Sequence, residues 1–307
     1  MQCFKPITID VKSNGKKIAM TVPCGMCMGC RIALRREWSV RIMHELDSFG
    51  SIGSFITLTY SDINLPKNGT LRKDHWQKFM KRLRKYFPEK KIRFYACGEY
   101  GGEKKRPHYH AILFGLSLDD LETKKVNNKL ISKTIERIWR DGYNVVGTVT
   151  TDSAQYVAGY IEKKLTGEAG KEEYEKTGRI APFSLCSQGI GKNYCDANSE
   201  QIKQQLNITV KGMPVGIPRY YKKRINLDQN ELYDKGEDQR KKIHDRYEQY
   251  YQQNNKNGDG VRAVDQLRRE IASYRYEALK ARIALKTRTL DNDDGSIDPS
   301  SNQAKRG

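Results

Sequence analysis

Arg106-Pro107-His108-Tyr109-His110-Ala111-Ile112-Leu113-Phe114 decides the fold. Two histidines flank one bulky residue and lead into an apolar run that reads as a strand. Side chains alternate across a strand, so His108 and His110 point to one face. Two imidazoles on one face can share a metal ion. Residues 91–99 read as a second strand, joined to residues 108–115 by the glycine- and charge-rich loop Tyr100 to Pro107. Together they form a β-hairpin with a long loop. Glu99 ends the first strand, and folding the loop back brings it near the histidines. Two imidazoles and a carboxylate suit Mn²⁺ or Mg²⁺, with positions left open for phosphate oxygens. Zn²⁺ accepts the same ligand types. The alternative reading is a pair of surface histidines on an edge strand.

Further elements follow from periodicity. Residues 31–47 repeat Leu34, Trp38, Ile42 and Leu46 every fourth position, as a helix does. Phe55-Ile-Thr-Leu-Thr-Tyr60 alternates as a strand. Residues 72–87 form a helix with Trp76, Phe79, Met80, Leu83 and Phe87 buried and Lys78, Lys81, Arg82, Arg84 and Lys85 outside. Residues 131–140 read as a helix and 143–150 as a strand. The stretch 168–224 reads as loop-like, and 228–285 as two charged helices.

Tyr156-Val-Ala-Gly159-Tyr160-Ile-Glu-Lys163-Lys164 follows the last strand. On a helix capped by Asp152, with Gln155 three residues on, Tyr156 and Tyr160 share one face with Lys163 and Lys164. Ala154, Val157, Ala158, Ile161 and Leu165 form the face that packs. A phenol is a weak nucleophile at neutral pH, because its usual pKa is about 10. A nearby lysine and a metal-activated phosphate reduce that handicap. Attack on DNA leaves a 5′-phosphotyrosine and a free 3′-OH. A second tyrosine can cut again without releasing the strand. The other reading of the pair is core or stacking aromatics.

The chain has 307 residues and a formal net charge of +19, which favours a polyanionic partner. No apolar run reaches the roughly 20 residues of a membrane span, and Met1 to Asp10 lacks a signal-peptide pattern. The expected location is the cytosol, where seven cysteines do not suit a disulfide framework. Cys24, Cys27 and Cys30 are tightly spaced, and Cys3 completes a candidate four-thiolate zinc site. Reduced cysteines that only pack, or an iron–sulfur cluster, are the other readings. Arg35, Arg36, Lys81, Arg82, Arg84, Lys85, Lys104, Lys105 and Arg106 are candidate phosphate contacts. The loop Ser187 to Tyr194 either grips single-stranded DNA by stacking or is a plain surface loop. No glycine-lysine phosphate cradle occurs, so DNA unwinding would fall to a host helicase.

Taken together, Pro23-Cys24-Gly-x-Cys27-x-Gly-Cys30-Arg31, Phe55 to Tyr60, Gly98-Glu99-Tyr100-Gly101 with Pro107-His108-Tyr109-His110, Tyr156-Val-Ala-x-Tyr160 with Lys163-Lys164, and Pro218-Arg-Tyr-Tyr-Lys-Lys223 resemble the HUH endonucleases that start rolling-circle replication. The resemblance is to the microvirus initiators of the gokushovirus type and spans about residues 23–224. It implies an α+β fold: a central antiparallel sheet of about five strands with helices packed on it. With the composition of the flanking stretches, the expected domains are an N-terminal cysteine segment at 1–30, an endonuclease domain at 31–224, a charged helical C-terminal extension at 225–289 and a disordered tail, polar and without aromatics, at 290–307. His108, His110 and Glu99 carry over as ligands, Tyr156 and Tyr160 as nucleophiles, and Lys163 and Lys164 as supporting bases or phosphate contacts. The implied reaction is nicking of the viral origin, covalent retention of the strand and joining of single-stranded circles. Its partners are viral DNA and the host helicase and polymerase, in the host bacterial cytoplasm. Gly159 departs from the family pattern and costs the helix about 1 kcal/mol relative to alanine. A non-catalytic single-stranded-DNA-binding protein and a zinc-stabilised virion protein are the competing functions. The tyrosine pair beside the histidine pair distinguishes the nuclease from both.

Overall fold

The computed structural model describes residue 3, residues 6–13, 16–101, 104–163, 167–210 and 212–228, and scattered positions between 241 and 273. The chain opens with β1 (Ile7–Ser13) and β2 (Lys16–Val22), then α1 (Met28–Asp47). Next come β3 (Gly53–Tyr60), α2 (Lys73–Tyr86), β4 (Arg93–Tyr100) and β5 (Pro107–Phe114). The small hairpin β6 (Thr123–Val126) and β7 (Lys129–Ser132) leads into α3 (Lys133–Ile138) and β8 (Gly142–Thr148). Then follow α4 (Thr151–Lys163), α5 (Gly167–Thr177) and β9 (Phe183–Cys186). Short elements complete the order: α6 (Lys192–Ala197), α7 (Ser199–Gln205), β10 (Ile208–Val210), β11 (Met213–Val215) and α8 (Arg219–Arg224). Two compact units result among the described residues, one drawn from residues up to 37 and from 192 onward, the other from residues 38–191.

The second unit holds the expected α+β core, a five-stranded antiparallel sheet in the order β8-β3-β5-β4-β9. Every residue of β5 is buried, as befits its central position. Pro107 is tolerated because it is the strand's first residue. The reading of His108 and His110 as surface residues on an edge strand is thereby excluded.

Alternation along the strands splits the core in two. On one face Ile56, Leu58, Tyr109, Ala111 and Leu113 pack against Trp76, Phe79, Met80 and Leu83 of α2. On the other Tyr95, Cys97, Ile112 and Phe114 pack against Ile42 and Leu46 of α1 and Ala154, Val157 and Ala158 of α4. Each fully buried large side chain stabilises the fold by roughly 1.5–3 kcal/mol. At the sheet edge, a Cβ on Gly142 would lie 2.1 Å from the Thr59 carbonyl oxygen. Only glycine lets β8 close on the end of β3.

Several expected boundaries shift. The stretch 168–224 is not loop-like but contains α5, β9, α6, α7, β10, β11 and α8. Near the N-terminus β1 and β2 pair as a hairpin, and the sequence between them is Asn14-Gly15, a dipeptide common in two-residue hairpin turns. Of the charged C-terminal stretch, residues 248–253 are helical. Most of the remainder, and the tail 290–307, lie outside the described residues. No helix among the described residues is long and apolar enough to cross a membrane.

Two polar anchors tie helices to the sheet. Glu45 of α1 is 1% exposed, pairs with Arg93 of β4 at 2.5 Å and accepts the Gly191 N–H at 2.7 Å. On the opposite face, the Tyr109 hydroxyl donates to the Arg72 carbonyl at 2.7 Å, accepts the Arg72 N–H at 3.1 Å and shares a 2.7 Å hydrogen bond with Tyr60. Removing one partner of a buried ion pair leaves the other charge uncompensated. Glu45→Ala is therefore expected to cost about 3 kcal/mol, read as a lowered urea midpoint with an unchanged slope. Tyr109→Phe is expected to cost about 1–2 kcal/mol by leaving the Arg72 groups unpaired, measured in the same titration.

Candidate active site

The β4–β5 register pairs Glu99 with His108 and Cys97 with His110, while β3 sets Thr57 opposite His110. Glu99, His108 and His110 thus meet on one face, at 6%, 8% and 3% exposure. Glu99 Oε1 lies 3.0 Å from His108 Nε2 and 3.1 Å from His110 Nε2. The imidazole planes are nearly perpendicular, with centroids 4.9 Å apart. Burial opposes ionisation of Glu99, but hydrogen bonds to His108 and His110 outweigh it and hold the carboxyl well below its usual range.

The donor set fits a divalent cation. An octahedral ion with bonds of about 2.1 Å separates adjacent ligand atoms by about 3.0 Å. Both carboxylate-to-imidazole separations meet that requirement. The remaining nitrogen of His110, Nδ1, lies 2.9 Å from Thr57 Oγ1. With Nε2 turned to an ion, Nδ1–H donates to the hydroxyl and fixes the tautomer. Thr57 is a site residue that the sequence reading misses. Its signal is the alternation of β3, which sets Phe55, Thr57 and Thr59 against the buried Ile56, Leu58 and Tyr60.

The tyrosine helix stands on the same face. Its cap is Thr150, not Asp152: Thr150 N–H donates to Ser153 Oγ at 2.8 Å and Ser153 N–H to Thr150 Oγ1 at 3.1 Å. Asp152 falls inside the first turn. The helix runs unbroken through Gly159 to Lys163. Ala154, Val157 and Ala158 are fully buried against the sheet, as their periodicity predicts. The half-buried Tyr156 ring is 5.2 Å from the His110 ring, edge to face, and 6.3 Å from Phe55. It therefore lies over the histidine while touching the core, rather than pointing wholly away from the packed side. Tyr160 and Lys163 are on the described backbone of α4, but their side chains, like all of Lys164, lie outside the described residues.

The placement of the basic residues also changes. Lys81, Arg82, Arg84 and Lys85 belong to α2, which packs on the sheet face opposite the histidines. Arg106 is engaged within the fold, donating to the Tyr60 carbonyl at 2.9 Å and pairing with Asp62. The loop after β9 is anchored at Ile190, which is fully buried and whose carbonyl accepts from Arg41 at 3.0 Å. In the first unit, Cys3, Cys24, Cys27 and Cys30 converge.

Residues 53–165 match the family model of the ORF2-type replication-associated protein. That span runs from β3 to just past α4 and contains the histidines, Glu99 and both tyrosines. The replication-associated protein ORF2 of Spiroplasma virus 4 is 33% identical over 270 residues, covering 76% of this chain and 83% of its own. The replication-associated protein VP4 of Bdellovibrio phage phiMH2K is 31% identical over 245 residues, covering 72% and 76% respectively. The chain belongs to the microvirus-type replication-associated proteins. No solved structure matches it.

Because Thr57 orients an imidazole, Thr57→Val is expected to weaken Mn²⁺ binding at the histidine pair by roughly 10- to 100-fold. Isothermal titration checks this, with circular dichroism showing that the fold persists.

Proposed function

We propose that this chain is a metal-dependent DNA endonuclease and strand-transfer enzyme. It nicks the viral origin with a tyrosine, retains the 5′ end covalently and later joins single-stranded circles. The observation that supports this most is the Tyr156 ring 5.2 Å from the His110 ring, on the face where Glu99, His108 and His110 meet. A single-stranded-DNA binder or a virion protein needs no such meeting of phenol and ligand set.

In this reading His108, His110 and Glu99 hold Mg²⁺ or Mn²⁺. A bound divalent ion supplies Lewis-acid polarisation of the scissile phosphate. Tyr156 attacks phosphorus: a phenolic P–O bond forms, the P–O3′ bond breaks, the phenol gives up its proton and the 3′ oxygen takes one up. Tyr160 carries the second attack, and the freed 3′ oxygen then displaces a phenol from phosphorus to close the circle. Lys163 and Lys164 accept the phenolic proton or contact phosphate. The replication-associated names of the relatives fit this role. The reading also assigns viral DNA as substrate, the host helicase and polymerase as partners, and the host bacterial cytoplasm as the location.

The test uses single-stranded oligonucleotides tiling the cognate viral genome, with Mn²⁺. Wild-type protein should cleave one of them and form a protein–DNA adduct stable to denaturant. Chelation, or His108→Ala with His110→Ala, should abolish both products. Tyr156→Phe and Tyr160→Phe singly should each leave an adduct on the other tyrosine, and the double variant none. Cleavage without an adduct, or an adduct that survives the double substitution, would sink the tyrosine mechanism.

A further inference from the structure

The first unit carries a second donor cluster, distinct in chemistry from the histidine site and outside the span 53–165 that matches the family model. Its assembly follows from the hairpin. β1 and β2 pair from Ile7↔Val22 to Ser13↔Lys16. Cys3 precedes β1 and Cys24 follows β2, at the same end of the hairpin, where Ile7 pairs with Val22. Gly25, with φ at +74°, turns the chain there. Cys27 then precedes α1, its carbonyl accepting the Arg31 N–H at 3.0 Å, and Cys30 lies in the first helical turn. Four sulfurs from three local structures are thus gathered at one point.

The sulfur geometry identifies what they can hold. Cys3 Sγ lies 3.6 Å from Cys24 Sγ and 3.8 Å from Cys27 Sγ. All four ligand atoms lie within 4.8 Å of one another. A disulfide requires about 2.05 Å between sulfurs, so these are separate thiols. A tetrahedral zinc with bonds of about 2.3 Å sets its sulfurs about 3.8 Å apart. An iron–sulfur cluster interposes several irons and sulfides and needs a wider cage. Backbone amides also point at the sulfurs: Cys24 N–H donates to Cys3 Sγ at 3.3 Å, and Cys27 N–H to Cys24 Sγ at 3.3 Å. Such donors, with the positive end of the α1 dipole, suit sulfur ligands that carry negative charge when a cation is bound. The first turn of α1 carries no acidic residue that would oppose them.

We infer that Cys3, Cys24, Cys27 and Cys30 bind one structural Zn²⁺, which fastens the β1–β2 hairpin to the start of α1. All four ligand positions are filled by protein, so the ion has no open site for substrate and its role is to hold the fold. This zinc site is independent of the nuclease chemistry.

The full chain, purified without added metal, is treated with a mercurial that modifies thiols while released zinc is read with a metal-sensitive dye. One zinc per chain is expected. It should remain in the His108→Ala, His110→Ala variant and be lost in the Cys24→Ser, Cys27→Ser variant. Because cysteine variants can fail to fold, wild-type protein exchanged with Co²⁺ provides a second measurement. It should show the intense visible bands of tetrahedral cobalt and a thiolate-to-metal charge-transfer band. Absence of zinc, iron in its place, zinc that departs with the histidine substitutions, or a weak octahedral cobalt spectrum would each overturn the assignment.

Discussion

The antiparallel register between β4 and β5 is the constraint on which the site depends. Glu99 faces His108 only because that register holds, and a slip by one residue would turn the carboxylate to the opposite side of the sheet. Burial on both faces of β5 enforces the pairing. Ile112 and Phe114 require one core and Ala111 and Leu113 the other, so no neighbouring register satisfies both. The apolar half of the strand thereby positions its polar half. Three ionisable groups can then be buried together because Glu99 gives each imidazole a hydrogen-bond partner.

Division of labour along β5 goes further. Tyr109, between the two histidines, points to the other face and has a structural task. Burial pushes its phenol up to about 12, and its hydroxyl secures the start of α2. The phenol beside the histidines comes instead from α4. Three small or branched residues, Ala154, Val157 and Ala158, let that helix settle closely enough for Tyr156 to reach His110. The rings of Tyr109 and Tyr156 therefore pack on opposite faces of the sheet.

Much of this was legible in the amino-acid order. The histidine alternation, the hairpin that returns Glu99 and the apolar stripe of α2 are periodic signals, and each corresponds to an element of the fold. β9 was not legible, because Phe183–Cys186 has four residues and too little alternation to stand out from its glycine-rich surroundings. The α4 cap was misread because Asp152 and Thr150 are both capping residues, and only the Thr150–Ser153 exchange of hydrogen bonds decides between them. The basic residues of α2 neighbour the site in sequence, but the chain crosses the sheet between them and the histidines. Thr57 escaped notice because a threonine in a strand is ordinary until its partner is known.

The continuity of α4 through Gly159 has a consequence for DNA handling. Four helical residues advance the backbone by about 6 Å, so positions 156 and 160 lie about one turn apart along the helix. If both take part, their attacks start from backbone positions one turn apart on the same helix face. The continuous helix then fixes the spacing across which the strand is handed from one to the other.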